Sequence, residues 1–441
     1  MGPVGYPEPG LFPDLGLFPE TESEPPPTIT PGPVTRNQFT YRARDLLNWT
    51  PLDSLPYQGV GFGKILDQHG SWSGSLPLAD PHVQRFDWKD ATRTGRTALF
   101  VDLGGTLVWG GVIWTTAYES DDPTRSLKVT ASEFGSYFQH RLQAEDYGSE
   151  SELGKVWETS GGDPILIIKR IVEDAQIKEH ESPGYITGTR IPIVVHGPTG
   201  EEGDLVKISY PGTSLQTVDS INSTLTALGW GPGYDFSWDC VYNSEGVPVV
   251  QLNLYRPKKG RTPEESQIVI LGRDTIKWTW PEDATSQATE VVETGSGTGG
   301  GAPAYASANY PGYPLLQKAT ARTQITQEST LETIALGDLA LCGWPVVTPT
   351  IVLPAALPGT PAAKRKTLAL GEYDVGDEFV FRVDPVAAGG PNTDPRFPEG
   401  MEYALRLNQW TCTVADKGQS AVQLDSGVRA LQYVPPPPPP H

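Results

Sequence analysis

Cysteine and long apolar runs are both scarce in this 441-residue sequence. Its three cysteines, Cys240, Cys342 and Cys412, are an odd number and lie too far apart for a metal-binding spacing, so we expect buried or idle thiols. No uninterrupted apolar stretch approaches the roughly 18 residues of a membrane-spanning helix. The start, from Met1 to Val4, lacks the charged and apolar regions of a signal peptide. We therefore expect a soluble protein that is made in a cytoplasm, without an integral membrane segment.

Positive charge is also in short supply. The chain has 33 Lys and Arg against 53 Asp and Glu, a formal net charge of -20 at pH 7, and no block of about five basic residues offsets it locally. Such a chain repels phosphates and anionic lipids. Specific nucleic-acid binding is therefore not expected.

Glycine and proline are abundant, with 48 and 43 residues. Together they make up about a fifth of the chain, well above the usual share, and favour a loop-rich, strand-rich protein over a helical bundle. At about 150 residues per domain, the length predicts roughly three domains.

The two ends differ in composition from the rest. Residues 1–35 contain ten prolines and five acidic residues but no basic residue, and residues 434–441 contain a run of six prolines. Both segments are expected to lie outside the globular fold, the first as a disordered or extended arm and the second as a polyproline tail. The arm nevertheless carries two apolar pairs that are typical of a docking peptide, and its candidate docking residues are Leu11, Phe12, Leu17 and Phe18.

The first part of the folded chain has the pattern of a β domain, assigned to residues 36–130. Strand-like runs at 97–102 and 106–114 flank Leu103-Gly104-Gly105 and predict a hairpin, and 126–130 predicts a further strand.

Residues 131–283 are predicted to form a mixed α+β region. Apolar residues recur at helical spacing near 133–144, 163–176 and 217–228, and alternation over 236–255 predicts a hairpin. A second β domain is expected at 284–433, with a helix opened by the capping box Ser329-x-x-Glu332 and strands near 378–383, 403–414 and 421–424.

Two glycine-rich motifs resemble nucleotide-binding loops but lack the necessary context. Gly295-x-Gly297-x-x-Gly300 follows a predicted strand, as a dinucleotide-binding motif does. The residues after it contain prolines and show no helical period, so the helix that such a motif needs is not predicted there. Around Lys64, Gln58 stands where a phosphate loop needs glycine and Ile65 where it needs Ser or Thr, so Gly61–Lys64 is expected to be a turn that enters a strand.

The residue types needed for catalysis are not arranged in a recognisable way. The six histidines are never two to five residues apart, and there is no G-x-S-x-G elbow and no nucleophilic cysteine signature. No catalytic, cofactor-binding or metal-binding residue is therefore assigned, and no enzyme activity is expected. The 12 tryptophans and the many acidic residues leave a secreted carbohydrate-active protein as a less favoured alternative, because the tryptophans are scattered and fit core or subunit packing better.

An ordered series of sequence segments carries a family resemblance. These segments are 70–76 (GSWSGSL), 97–118 (TALFVDLGGTLVWGGVIWTTAY), 126–142 (SLKVTASEFGSYFQHRL), 289–297 (TEVVETGSG), 311–316 (PGYPLL), 331–341 (LETIALGDLAL) and 373–382 (YDVGDEFVFR). In this order they resemble the minor tail proteins that form the tail-tip, or baseplate, hub of long-tailed phages of actinobacteria. The resemblance covers Asn37–Val434. Its most specific part joins the 106–114 strand to the following helical segment, and its signature or interface residues are Trp109, Gly110, Gly111, Trp114, Tyr137, Phe138 and Arg141.

The resemblance implies two tail-tube-like β domains that flank a mixed α/β middle region. It also implies a homotrimer at the distal end of the virion tail, which joins a sixfold tail tube or distal-tail ring to a threefold tip. Its expected partners are the distal tail protein, the tail tube, the tape-measure protein and other minor tail or receptor-binding proteins. A distal-tail ring, a baseplate wedge or a peripheral adhesin of the same virion are the alternatives, and the copy number separates a six-copy ring from a three-copy hub.

Overall fold

The computed structural model describes residues 39–121, 124–142, 156–158, 162–177, 191–199, 209–211, 217–226, 234–256, 258–262, 268–271, 274–275, 277–295, 304–307, 313–322, 328–355, 370–390, 392–416 and 420–428. The predicted arm at 1–35, with its candidate docking residues Leu11, Phe12, Leu17 and Phe18, and the predicted tail at 434–441 lie outside this part of the chain. Within it, no helix combines the length and the hydropathy that a membrane crossing requires.

Strands are the main regular elements between residues 39 and 142. Its elements are β1 (Phe39–Asp45), β2 (Gln58–Ile65), β3 (Ser71–Pro77), the short helix α1 (Trp88–Ala91), β4 (Thr97–Leu103), β5 (Thr106–Asp121), β6 (Thr124–Glu133) and 3-10 helices at Val83–Arg85 and Phe134–His140.

Helices and strands alternate in the middle of the chain. The elements there are β7 (Val156–Glu158), α2 (Pro164–Ile177), β8 (Ile193–His196), β9 (Ser209–Pro211), α3 (Val218–Thr226), β10 (Asp235–Tyr242) and β11 (Pro248–Tyr255). Strands β10 and β11 form an antiparallel hairpin, and β8 joins β11 in parallel. This sheet and the helices α2 and α3 are called the middle region below.

The last part of the chain returns to strands around one longer helix. It contains β12 (Ile268–Ile270), β13 (Lys277–Thr279), β14 (Glu282–Asp283), β15 (Glu290–Gly295), β16 (Ala304–Ser307), β17 (Gln317–Arg322), α4 (Glu328–Cys342), β18 (Val346–Val347), β19 (Thr350–Pro354), β20 (Glu378–Val383), a 3-10 turn at Val386–Ala388, β21 (Met401–Thr413) and β22 (Ala421–Val428).

Twelve strands from both ends of the chain form one large sheet. Its order is β1-β4-β5-β6-β3-β2-β21-β22-β19-β13, and β20 and β12 branch from β21. The two halves of this sheet repeat each other, since β1-β4-β5-β6-β3-β2 has the same order as β12-β20-β21-β22-β19-β13. The halves differ at one end, where β1 pairs antiparallel with β4 but β12 pairs in parallel with β20.

The repeat extends to a β-bulge in each long strand. The register of β5 on β6 shifts between Ile113 and Thr115, and that of β21 on β22 shifts between Leu407 and Gln409. A bulge inserts one extra residue and sharpens the twist of its strand. Both halves have a bulge at the same place in the long strand. Thr115 and Gln409, the first paired residues after each bulge, are therefore equivalent positions.

The large sheet buries a separate core on each of two sides. One core takes side chains from both halves, including Phe62, Trp72, Trp109, Phe381 and Trp410. The second lies between the hairpin β4–β5 and the middle region. A small third core packs α4 on the three-stranded sheet β16-β15-β17.

The fold is β-rich, as predicted, and the hairpin expected around Leu103-Gly104-Gly105 is confirmed as β4–β5. Helices α2, α3 and α4 lie close to the segments with helical periodicity. The segment near 133–144 differs, because it forms a 3-10 helix over Phe134–His140 that follows directly on β6. Gly61–Lys64 also differs, since these residues lie inside β2, whose two edges are paired, and do not form a turn.

The expected regional boundaries do not coincide with the sheets. Strands β12 and β13, placed by the sequence in the 131–283 region, belong to the large sheet, whereas β15–β17 and α4 form a layer of their own within 284–433. The reason is that β12 and β13 pair with β20 and β19, which lie about 70 or more residues further along the chain, whereas β15 pairs with its neighbours β16 and β17. The division into two tail-tube-like domains stays a prediction and is taken up under the proposed function.

Candidate functional site: the junction of the large sheet and the middle region

Most of the signature residues of the resemblance lie where the middle region packs on the hairpin β4–β5. The core at this junction takes Ala98, Phe100, Leu107 and Val112 from the hairpin. From the middle region it takes Ile165, Ile168, Ile171, Val218, Ile221, Leu225, Phe236, Trp238, Val250 and Leu252. Every one of these side chains is buried, so burial of apolar surface fixes the middle region on the sheet.

Gly110 and Gly111 allow the two layers to approach closely. A Cβ atom on Gly110 would lie 2.5 Å from Sγ of Cys240 on β10 and 2.9 Å from Cδ1 of Phe100. A Cβ atom on Gly111 would overlap the backbone carbonyl of Ser132. The glycines are therefore required by packing, Gly110 between the layers and Gly111 between neighbouring strands.

The two signature tryptophans of β5 point to different sides of the junction. Trp109 is buried, and its Nε1 donates a hydrogen bond of 3.0 Å to the carbonyl of Gly63. Trp114 is the bulged residue, and its Nε1 donates to Oγ of Ser136 at 2.8 Å while its ring lies 4.6 Å from that of His140. Trp109 thus links β5 to the sheet interior, and Trp114 links it to the 3-10 helix.

Tyr137, Phe138 and Arg141 connect the 3-10 helix to the helices of the middle region. The Phe138 ring stacks on that of Trp238, with centroids 5.5 Å apart. The Arg141 guanidinium lies over the Tyr137 ring and donates to the carbonyl of Ala175 in α2. Five of the seven signature residues therefore lie at this junction, whereas Trp109 belongs to the core on the other side of the sheet and Gly111 packs between neighbouring strands. A contact with a neighbouring subunit stays a prediction for all seven.

A set of buried ion pairs at the junction was not foreseen from the sequence. Lys64 on β2, with its side chain 11% exposed, pairs with Asp239 on β10 and lies 3.9 Å from Asp374. Burial by itself lowers the pKa of Lys64, but the carboxylates of Asp239, Asp374 and Glu133 outweigh it and raise this pKa. Although burial opposes ionisation of Asp239 as well, Lys64 and Lys259 hold its pKa well below the ordinary value. The pair is therefore charged over the whole physiological pH range.

A basic segment after β11 continues this network. Within residues 256–261, four basic side chains pair with acidic groups of α2's N-terminus and of the 374–378 segment before and within β20. The pairs are Arg256–Asp163, Lys258–Glu378, Lys259–Asp374 and Arg261–Asp377, and Arg406 of β21 pairs with Asp235 of β10. The density of basic residues in this short stretch of an acidic chain was the available sequence signal, but their partners are about 90 to 120 residues away.

Two carboxyl groups at the junction are buried enough to hold a proton near neutral pH. Glu133 accepts a hydrogen bond of 2.6 Å from the amide of Gly70, and burial raises its pKa to about 8. Asp67 accepts from the amide of Phe236, and burial, with the nearby Asp235, raises its pKa to about 7. Desolvation of the charged form is the main cause in both cases.

A polar cavity of about 310 Å³ opens beside the junction. It is lined by Asp67, Gln68, His69, Ser132, Ser136, Gln139, Asp219 and Ser223. Nε2 of His69 lies 2.6 Å from Oδ1 of Asp219, whereas Ser136 donates its hydroxyl to the carbonyl of Glu133. This serine is therefore not held by the histidine as a nucleophile would be. In the described part of the chain, no three His, Cys, Asp or Glu side chains lie together as a metal site.

Comparisons with known proteins identify the fold. No family model and no curated protein matches the chain. Among solved structures, it is similar to the 43 kDa tail protein of prophage MuSo2 from Shewanella oneidensis, with a TM-score of 0.55, 13% identity and coverage of 89% of this chain and 98% of the other. It is also similar to the tail protein from Neisseria meningitidis, with a TM-score of 0.51, 11% identity and coverage of 88% and 96%. The chain thus shares its fold, over nearly the full length of both structures, with two tail proteins.

Proposed function

We propose that this chain is a structural tail protein of a phage and forms the homotrimeric hub at the distal end of the tail. The observation that carries the proposal is the shared fold with two tail proteins, which extends over almost the whole of each structure. On this proposal the protein acts in the virion, as a connector without enzymatic activity.

The internal repeat of the large sheet supports the hub assignment. Each chain contains two halves with the same strand order, so three chains present six similar units around one axis. Such a ring fits a sixfold tail tube or distal-tail ring on one side and a threefold tip on the other. The two halves are the candidates for the predicted tail-tube-like domains, and closed cyclic symmetry requires head-to-tail contacts between copies.

The junction gives the middle region a fixed place on the large sheet of each chain. Its apolar core and its buried ion pairs leave little freedom for independent motion of the two layers. A connector that transmits force between a tube and a tip benefits from this rigidity. The distal tail protein, the tail tube, the tape-measure protein and other minor tail or receptor-binding proteins are the proposed partners.

The mass of the assembled protein is the direct test. Three copies of the 47.7 kDa chain have a mass of about 143 kDa, which native mass spectrometry separates clearly from one or six copies. Averaged images of the virion tail tip must show the same threefold density at the end of the tube. Six copies would replace the hub with a distal-tail ring, and a monomer, or a position away from the tube end, would overturn the proposal.

The N-terminal arm is proposed to dock on a neighbouring subunit through Leu11, Phe12, Leu17 and Phe18. Deleting residues 1–35 should leave the unfolding transition unchanged, because the composition of the arm predicts a segment outside the globular fold, and should weaken assembly. Replacing the four docking residues with serine provides the matched control, since it retains the length and charge of the arm. Assembly at full strength in both variants would refute the docking role.

A further inference from the structure

Two strands of the large sheet, β5 and β13, have an edge that no strand in the described ranges covers. Strand β5 pairs with β4 only as far as Val112, and no strand in the described ranges pairs with the same edge from Thr115 onward. Residues 115–120 of β5 are all exposed. Strand β13, the last strand in the order, pairs with β19 alone among the described strands. Exposed strand edges are sites for pairing with another chain.

The edge of β5 lacks the usual protection against such pairing. Residues 115–120 (TTAYES) contain no lysine, no proline and no bulge beyond Trp114, which are the devices that commonly block edges. The charge of Glu119 is matched by Lys128 of the neighbouring strand, with Nζ and Oε1 2.6 Å apart. With the β-formers Thr115, Thr116 and Tyr118 and no blocking residue, this edge can accept a strand.

The internal repeat shows which strand fits there. Within one chain, β2 of the first half pairs antiparallel with the last part of β21, from Gly61 opposite Thr413 to Ile65 opposite Gln409. In the repeat, β21 is equivalent to β5 and β2 is equivalent to β13. The contact between the halves therefore exists once inside the chain, between β2 and β21. The equivalent strands β13 and β5 could form the same contact a second time, and each has an edge that no described strand covers.

Burial at equivalent positions supports this relation. Counting from the bulge, Tyr118 of β5 corresponds to Cys412 of β21. Cys412 is completely buried because β2 covers it, whereas Tyr118 is 58% exposed. Tyr118 lies opposite the buried Leu127, so it extends the apolar layer of the sheet to a point where nothing in the described structure covers it.

We propose that β13 of one copy pairs antiparallel with residues 115–121 of β5 in the next copy. The occupant of each free edge is a second copy of this chain, and the contact is called the seam. From β5 to β13 the sheet runs through eight strands that are antiparallel at every step. Because eight is even, rotation about one axis brings β13 beside the next β5 in antiparallel orientation, as a closed ring requires.

The repeat also fixes the register of the seam. Gly61 lies opposite Ser73, and its equivalent Thr279 lies opposite Thr350, the counterpart of Ser73. Since Gly61 faces Thr413, Thr279 should face Glu119 of the next copy. One residue further, Trp280 comes beside Tyr118.

The side chains at this register are complementary on both faces. Trp280 and Tyr118 continue the apolar face of the sheet from one copy to the next. On the outer face, exposed Lys277 lies diagonal to Glu119, within reach of an opposite-charge pair across strands. The seam rests on the proposed function in one respect, because it requires a closed ring of copies. The strand pairing itself does not depend on how many copies form the ring.

A disulfide across the seam tests the register. Directly opposite residues of antiparallel strands have Cα atoms about 4.5 to 5.5 Å apart, within the range of a disulfide. The variant with Thr279→Cys and Glu119→Cys should form intersubunit disulfides under mild oxidation. In the control with Thr279→Cys and Thr115→Cys, the second cysteine is displaced by four residues, or about 13 Å, and should not form them. The three native cysteines are buried and serve as a common background.

The outcomes for the seam and for the hub are distinct. A trimer in which the first cysteine pair fails to link, or in which both pairs link equally, overturns the seam and leaves the hub in place. Efficient linking of the first pair alone in a six-copy ring supports the seam and overturns the hub. A monomeric protein overturns both.

Surface variants provide a second test that does not depend on oxidation. Tyr118→Ser should raise the concentration at which the oligomer dissociates about tenfold, whereas Val386→Ser, also at an exposed apolar residue, should not change it. Lys277→Glu should weaken assembly, and Glu119→Lys in the same chain should restore it. Equal effects of Tyr118→Ser and Val386→Ser, or no restoration by the charge exchange, would contradict the seam.

Discussion

Replacing Gly110 with alanine tests whether the close approach of β5 and β10 holds the middle region on the sheet. The new Cβ would lie 2.5 Å from Sγ of Cys240 and 2.9 Å from the ring of Phe100, both well inside van der Waals contact. Cys240 and Phe100 are buried in the same core and cannot move into solvent. Overpacking of this kind costs about 1–3 kcal/mol of unfolding free energy.

A double-mutant cycle with Cys240→Ala separates this clash from a general intolerance of alanine. Alone, Cys240→Ala removes the buried sulfur and should cost about 1 kcal/mol. In the double variant the nearest atom to the new methyl group is gone, so the combined cost should fall below the sum by about 1 kcal/mol. The transitions can be measured in urea through far-ultraviolet circular dichroism and through the summed fluorescence of the 12 tryptophans, to which Trp238 at the junction contributes.

Gly337→Ala is the matched control, because a Cβ there meets nothing within 4 Å and alanine favours the helix α4. It should stabilise the protein by up to about 1 kcal/mol. Strictly additive effects of Gly110→Ala and Cys240→Ala would refute the packing of β5 on β10 as the structure has it.

Two further predictions concern the charges of the junction. Because burial raises the pKa of Glu133 to about 8, the folded protein keeps a proton that the unfolded chain releases near pH 4.5, and stability should fall as the pH rises from about 5 to 8. Thermal unfolding of Glu133→Gln should lack this contribution, and parallel pH profiles for the two proteins would exclude it. Lys64→Met should cost about 3 kcal/mol in urea unfolding, since it leaves Asp239 buried without its main partner, and adding Asp239→Asn should recover part of that loss. Equal stability of the single and double variants would contradict this pairing.

Local sequence patterns predicted those elements that local interactions determine. The hairpin β4–β5 is visible because two apolar runs flank a Gly-Gly turn, and both glycines have positive φ in the structure. Helix α2 is visible from Asp163-Pro164 and the apolar spacing that follows, and the Asp163 side chain accepts from the amide of Ile165. In each case the signal and the structure lie within about 20 residues of each other.

Elements that depend on distant partners were missed or misplaced. Strand β13 has three residues, and its pairing with β19 is what assigns it to the large sheet. The segment Phe134–His140 has helical spacing, but Gly135 packs tightly against Trp238 and His69 and the segment winds as a 3-10 helix at the end of β6. Periodicity identifies a buried face without indicating what buries it.

In the candidate site, too, residues within contiguous segments were predicted and pairs of distant residues were not. The resemblance named its glycines and aromatic residues, because these occur in contiguous segments of the sequence. The ion pairs were not predicted, since a pair such as Lys64–Asp239 joins residues 175 positions apart and nothing in either local sequence identifies the other. The internal repeat was equally hidden, because strand order and bulge position are shared between two halves whose sequences do not show it.

The net charge of -20 lies outside the ion pairs of the junction. Six basic groups there pair with six acidic groups, so these six pairs carry no net charge and the acidic excess lies outside them. Copies brought together in a ring therefore repel each other over the Debye length, which shrinks from about 30 Å at 10 mM salt to about 8 Å at 150 mM. Assembly should strengthen severalfold over this range of salt concentration in sedimentation equilibrium, although salt would also screen the pair proposed between Lys277 and Glu119 of neighbouring copies. Weaker assembly at 150 mM would show that attraction between charged surfaces, and not strand pairing and apolar contact, holds the copies together.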